Sequence, residues 1–208
     1  MKKIIALLVF SISIAITGQT NYEQGMQEAL GLWGQHKKTE AINLFERIAS
    51  AEQNNWIPYY YAAQIEITSS FGLTDENLLG AKLKKGQEYL DQAKSVSKNN
   101  AEILILQALL YTSWVTYDGA TYGRKYSNKI TKLYKKANKL TPQNPRAISC
   151  QAEWNIGSAK FLGKDTQPFC KDIEKSLDLF VTFELPSPFY PNWGEDRAKT
   201  ILANCKSY

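Results

Sequence analysis

Few side chains in this sequence could carry out chemistry, and their spacing does not favour it. His36 is the only histidine and stands beside Lys37 and Lys38 in a predicted turn. Neither a histidine-rich metal site nor a histidine-activated nucleophile is therefore available. The acid pairs Asp75 with Glu76 and Glu195 with Asp196 have the composition of a two-carboxylate hydrolase. Both open predicted helices, where negative charge complements the helix dipole, and that role explains them better. No glycine-rich loop precedes a Lys-Ser/Thr pair, so a phosphate cradle is missing. These residues predict no enzyme, no metal site and no cofactor.

Of the three cysteines, Cys150 falls within an apolar helical pattern and reads as a buried thiol. Cys170 and Cys205 lie near the start and the end of the last predicted elements, and in an oxidising compartment they are expected to pair. That compartment is suggested by the first residues. Met1, Lys2 and Lys3 precede an apolar run from Ile4 to Phe10, with Thr17 and Gly18 as small residues after it. The run is too short for a membrane span and reads as a signal peptide over 1–18. The mature protein, residues 19–208, is expected to be exported, periplasmic or secreted, and soluble. Removing 1–18 takes out two lysines and no acid, so the formal net charge falls from +5 to +3. That charge is mild and reads as interspersed rather than striped, which argues against a nucleic-acid partner.

The elements that must position any site follow from a repeat. Asn55, Asn100 and Asn144 are each followed eight residues later by an alanine, at Ala63, Ala108 and Ala152. Asn100 and Asn144 stand just before apolar-periodic runs, where the side-chain oxygen can accept from free backbone N–H groups, and Pro145 suits a first helical turn. Small residues recur where paired helices would approach closely: Ala29, Ala41, Gly86, Ala93 and Ala137, with large apolar Phe45, Leu90 and Tyr134 between them. Tetratricopeptide repeats are helical hairpins of about 34 residues with this pattern, and the chain resembles that family over most of its mature length. It also resembles small exported proteins of that kind from Gram-negative envelopes, through Leu32-Trp33-Gly34, Phe45 to Ala49, and Trp193-Gly194.

The fold expected is all-α: one domain, a right-handed stack of about four helical hairpins closed by a C-terminal capping helix. The Ala63, Ala108 and Ala152 spacings exceed one repeat by about ten residues each. The excess maps to insertions near 69–79 and 116–125, between the two helices of the second and third hairpins and on one edge of the stack. Three prolines between Leu185 and Trp193 forbid a continuous helix there.

In such a stack the first helix of each hairpin lines a concave groove. Met26, Leu30, Trp33, Tyr60, Gln64, Ile105, Leu109, Arg146 and Glu153 are placed there, an apolar floor with charges at one end that suits an amphipathic helix or an extended peptide. The competing arrangement is that the chain's own C-terminal or N-terminal residues fill the groove. The third-hairpin insertion, with Trp114, Tyr117, Tyr122, Arg124 and Tyr126, is rich enough in aromatics to stack a sugar or small ligand, or else to pin itself to the stack. The function expected is a non-catalytic scaffold, monomeric and without transmembrane insertion, that grips a protein or peptide. The alternative is a carbohydrate or small-ligand binder using the aromatic insertion, and a catalytic role stands last.

Overall fold

The computed structural model describes residues 21–205, so the expected signal peptide lies outside the described residues. The helices are α1 (21–34), α2 (Lys38–Ala51), α3 (Ile57–Thr68), α4 (Glu76–Val96), α5 (Ala101–Tyr117), α6 (Gly119–Leu140), α7 (Pro145–Phe161), α8 (Gln167–Thr182) and α9 (Glu195–Cys205). Four hairpins, α1–α2, α3–α4, α5–α6 and α7–α8, follow one another, and α9 packs on α7 and α8. The stack expected from the repeat pattern is the one observed.

Local chemistry sets the helix starts. The Asn100 side chain accepts from the N–H groups of Glu102 and Ile103, and that of Asn144 from Arg146 and Ala147. Asp75 and Asp118 cap α4 and α6 in the same way. Pro58 and Pro145 lie in first turns, where a missing N–H is harmless. The small positions read from the repeat are all buried: Ala29, Ala41, Ala63, Gly86, Ala93, Ala108, Ala137 and Ala152. The reason is clearest at Gly86, where an added Cβ would stand 2.9 Å from Cγ1 of the buried Ile67.

Residues 69–79 span the junction of α3 and α4, and residues 116–125 that of α5 and α6, but only the first stretch contains a loop. Residues 69–75 form turns before α4. The second is no loop at all: it lengthens α5 and α6, which meet with Asp118 alone between them. Periodicity was hidden there by glycines at 119 and 123, which helix packing overrides. The two edges touch, through the buried Ser70–Ser113 hydroxyl pair at 2.7 Å and through the Tyr122 hydroxyl donating to Glu76.

At the C-terminal end, Cys170 and Cys205 are joined, which ties the start of α8 to the end of α9. Cys150 is free and buried. Between α8 and α9 the proline-bearing segment 183–194 runs without regular structure, as its sequence requires.

Gly86→Ala tests the close approach of α3 and α4. Helix propensity favours alanine by up to about 1 kcal/mol. Overpacking against Ile67 outweighs it, and a net loss of about 1 to 2 kcal/mol is expected in urea unfolding. A gain in stability would show that the two helices separate at no cost.

Candidate functional site

The groove is best built from its charged end. Glu102 on α5 and Arg146 on α7 face each other with both side chains almost fully buried. The Arg146 Nε donates to both Glu102 oxygens at 3.1 and 3.0 Å, and its Nη2 donates to Oε1 at 2.8 Å. Asn144 Nδ2 adds a donation to Glu102 Oε1 at 2.6 Å, while its own Oδ1 caps α7. The cap residue read from the repeat thus also completes a buried carboxylate. The rings of Phe183 and Tyr190 lie against the guanidinium, their centroids 5.1 and 5.7 Å from its carbon. These two residues belong to the 183–194 segment, so the ion pair anchors that segment in the groove.

The rest of the segment follows. Tyr61 donates its hydroxyl to the Phe189 carbonyl at 3.1 Å, and Trp193 Nε1 donates to the Tyr60 hydroxyl at 2.7 Å. Phe189 meets the edge of Tyr22, and Tyr190 the edge of Trp56. Burial raises the Tyr60 hydroxyl well above the usual phenol range and pushes Tyr61 up to about 12, so both stay neutral donors or acceptors. Gly194 closes the segment at φ +108°, where a Cβ would meet Phe180 at 3.3 Å and Arg146 at 3.5 Å.

This strap corrects the expected peptide site. Met26, Tyr60, Gln64, Ile105 and Arg146 are buried rather than exposed along an open floor. Leu30 and Trp33 are half-buried against the same core, Trp33 with its ring edge on Tyr61. The arrangement that holds is the competing one, in which the chain's own C-terminal segment occupies the groove.

Past Trp193 the strap ends and a cleft opens between α5, α7 and α9. It encloses about 520 Å³ and is bordered by Phe71, Leu109, Glu153, Trp193, Arg197 and Ile201. A second cavity of about 530 Å³ lies between α5, α6 and α7, bordered by Val115, Arg124, Trp154, Phe161 and Leu162. Thr112, Thr116 and Glu153 border both, so the two are neighbours across one ridge. Glu153 is held at that ridge by an ion pair with Arg197. Arg124, by contrast, takes part in no ion pair among the described residues. Leu109, Glu153 and Arg124 are thus the sequence-predicted site residues that the fold brings to these two cavities.

The remaining aromatics serve packing. Trp114 lies between Gly80 of α4 and the Tyr122 ring, and Tyr126 stacks on Tyr111 at 4.8 Å. Tyr117 borders a third cavity with Ser70 and Ser113, where the two insertions meet. Phe71, Trp154, Phe161 and Arg197 were not singled out as site residues from the sequence. The Phe161-Leu162 pair before the turn at Gly163 was the available signal, since Phe161 is 78% and Leu162 60% exposed. Among the described residues no three His, Cys, Asp or Glu side chains converge as a metal site, and no helix is long and apolar enough to cross a membrane.

Breaking the anchor should be costly. Arg146→Met is expected to lose about 3 to 5 kcal/mol in urea unfolding, because it strands the Glu102 carboxylate in the interior, and adding Glu102→Leu should restore much of that loss. Tyr60→Ala should also cost about 3 to 5 kcal/mol, since its ring is core. A Tyr60→Ala variant with unchanged stability would mean that the strap does not cover the groove in solution.

No family model matches the chain, and no curated protein matches it. Solved structures do. The HusA haemophore from Porphyromonas gingivalis superposes with a TM-score of 0.77 at 22% identity, over 89% of this chain and 93% of its own. The tetratricopeptide protein TTC0263 from Thermus thermophilus superposes with a TM-score of 0.56 at 11% identity, over 90% of this chain and 100% of its own. At these identities the likeness concerns the fold, and the fold is a tetratricopeptide-like stack of helical hairpins.

Proposed function

We propose that this helical-repeat scaffold captures a small, flat, largely apolar molecule bearing a carboxylate, in the cleft left open beyond the strap. The observation that carries this reading is the division of the groove. Its peptide-sized floor is occupied by residues 183–193, whereas the open remainder has cavities of about 520 and 530 Å³. That is the size range of small-molecule sites, which are apolar with a few placed polar groups. Exposed Phe71, Phe161 and Leu162 border the two cavities, an apolar rim that a bound ligand would cover. Arg124 supplies an unpaired cation for the carboxylate.

The haemophore likeness makes a porphyrin the first ligand to test. The ionisable donors the cleft offers a haem iron are poor ones, because burial keeps the Cys150 thiol and the Tyr134 phenol protonated and the Glu153 carboxylate is engaged by Arg197. Recognition therefore rests on the ring faces and the acid groups. Haem and iron-free protoporphyrin are expected to quench the tryptophan fluorescence with similar affinity. Arg124→Ala should weaken the dicarboxylic porphyrin about tenfold, the worth of one charge-assisted hydrogen bond, and leave its dimethyl ester unaffected. The paired change Phe161→Ser and Leu162→Ser should weaken both. Saturable quenching by a glycan panel but not by porphyrins would instead support the carbohydrate alternative. Capture of a peptide that depends on Trp33 and requires displacement of the strap would return the groove to the scaffold reading.

A further inference from the structure

Helix α6 holds a charge pattern that the ligand cleft does not use. It carries Arg124 and six lysines with no Asp or Glu, whereas the rest of the described chain has fifteen cations against twenty acids. The reading of interspersed charge holds for that rest and fails for α6. All seven cations are exposed, and none makes an ion pair among the described residues. Lys136 donates to Asn99 at 2.9 Å, and Lys125 and Lys129 lie over the rings of Tyr126 and Tyr111 at 5.0 to 5.8 Å.

The placement is directional. Ile130, Tyr134 and Ala137 face the core. Lys125, Lys129, Lys132, Lys136 and Lys139 are spaced four, three, four and three apart. At 100° per residue they fall within an arc of about 80° and form a row roughly 21 Å long. Beside the row, between it and the core face, lie Tyr122, Tyr126, Leu133 and Leu140. The first three are half-buried and Leu140 is 41% exposed. A straight row of unpaired lysines edged by tyrosines and leucines has the composition of an interfacial helix, with cations for lipid phosphates and amphipathic rings at headgroup depth.

We propose that this face of α6 docks the protein peripherally on an anionic bilayer surface. Charge complementarity supplies the attraction. A soluble polyanion would be served by the lysines alone, whereas a bilayer also takes up the part of the edge that inward packing leaves exposed, since Tyr122 and Tyr126 are only half-buried and Leu140 is 41% exposed. The bilayer is flat, which a straight row on one helix fits without a pocket. Docking leaves the ligand cleft free, because neither the five lysines nor their edge borders it, and α6 meets that border through Gly119, Gly123, Arg124 and Ser127 instead.

The test is co-sedimentation of the purified protein with vesicles of equimolar phosphatidylglycerol and phosphatidylcholine, against vesicles of phosphatidylcholine alone. Binding is expected to the anionic vesicles only, and to decline with added salt as screening dictates. Changing the five lysines of the row to glutamine should lower the partition more than about a hundredfold, and changing them to arginine should preserve it. Should the glutamine variant prove unstable, the arginine variant and the salt dependence of the unaltered protein decide the question. Equal binding to neutral vesicles overturns the proposal, as does a glutamine variant that binds like the parent. Lysine-dependent retention on heparin with no vesicle binding overturns it too, in favour of a soluble polyanion.

Discussion

The buried contact between Glu102 and Arg146 is the constraint from which the rest of the groove follows. A carboxylate and a guanidinium taken out of water are tolerated only when nearly every donor and acceptor is satisfied. Here the satisfaction is assembled from three places. The helix cap residue Asn144 supplies a donor from below, α5 and α7 supply the pair, and Phe183 and Tyr190 close over the guanidinium from the strap. Once those rings are committed, Phe189 and Trp193 fall over Tyr61 and Tyr60, and the apolar floor is sealed. The disulfide between Cys170 and Cys205 reinforces the same arrangement, because it links the helices at the two ends of the strap.

A stack of only four hairpins has a large groove for its core, and an open apolar floor would be a liability in water. Filling it with the chain's own aromatic segment joins the first two hairpins to the third and to α9. Trp193 packs against the cores of both the first two hairpins and the third. The consequence for function is spatial. What is sealed is no longer an open floor, and what is left is a cleft bounded by α5, α6, α7 and α9. The fold thus converts an extended groove of the protein-binding kind into a compact one of small-molecule size. The overall charge conceals a second division of this sort, in which one helix holds seven cations and the remainder of the described chain is acidic.

Much of this architecture was legible in the sequence, and for physical reasons. Small residues at fixed spacing mark where helices touch, which is why Gly86 could be read as a close approach without coordinates, although its partner Ile67 could not. Asparagine before an apolar run marks a helix start, and Asn100 and Asn144 do cap α5 and α7. Counting alone assigned the extra residues to two hairpin tips. The form of the second was not legible in that way: a stretch containing Gly119 and Gly123 among tyrosines looks like a loop by composition, while packing of Trp114 on Gly80 and of Tyr126 on Tyr111 holds it helical.

What only the tertiary structure decided is which surfaces stay exposed. Periodicity identifies the face of a helix that turns away from its partner helix, the face to which Met26, Tyr60 and Ile105 were assigned, and all three are buried. It says nothing of whether a segment more than a hundred residues distant in sequence, as Phe189 is from Tyr61, lies on that face. The same limit concealed the cleft, whose border draws Phe71, Leu109, Trp193 and Arg197 from separate stretches of chain. The sequence by itself determined the repeat, the helix starts and the charge of each helix, because those depend on neighbours within one or two turns. Burial of the groove and opening of the cleft depend on where the proline-rich strap comes to rest, and that is set by side chains meeting across the whole stack.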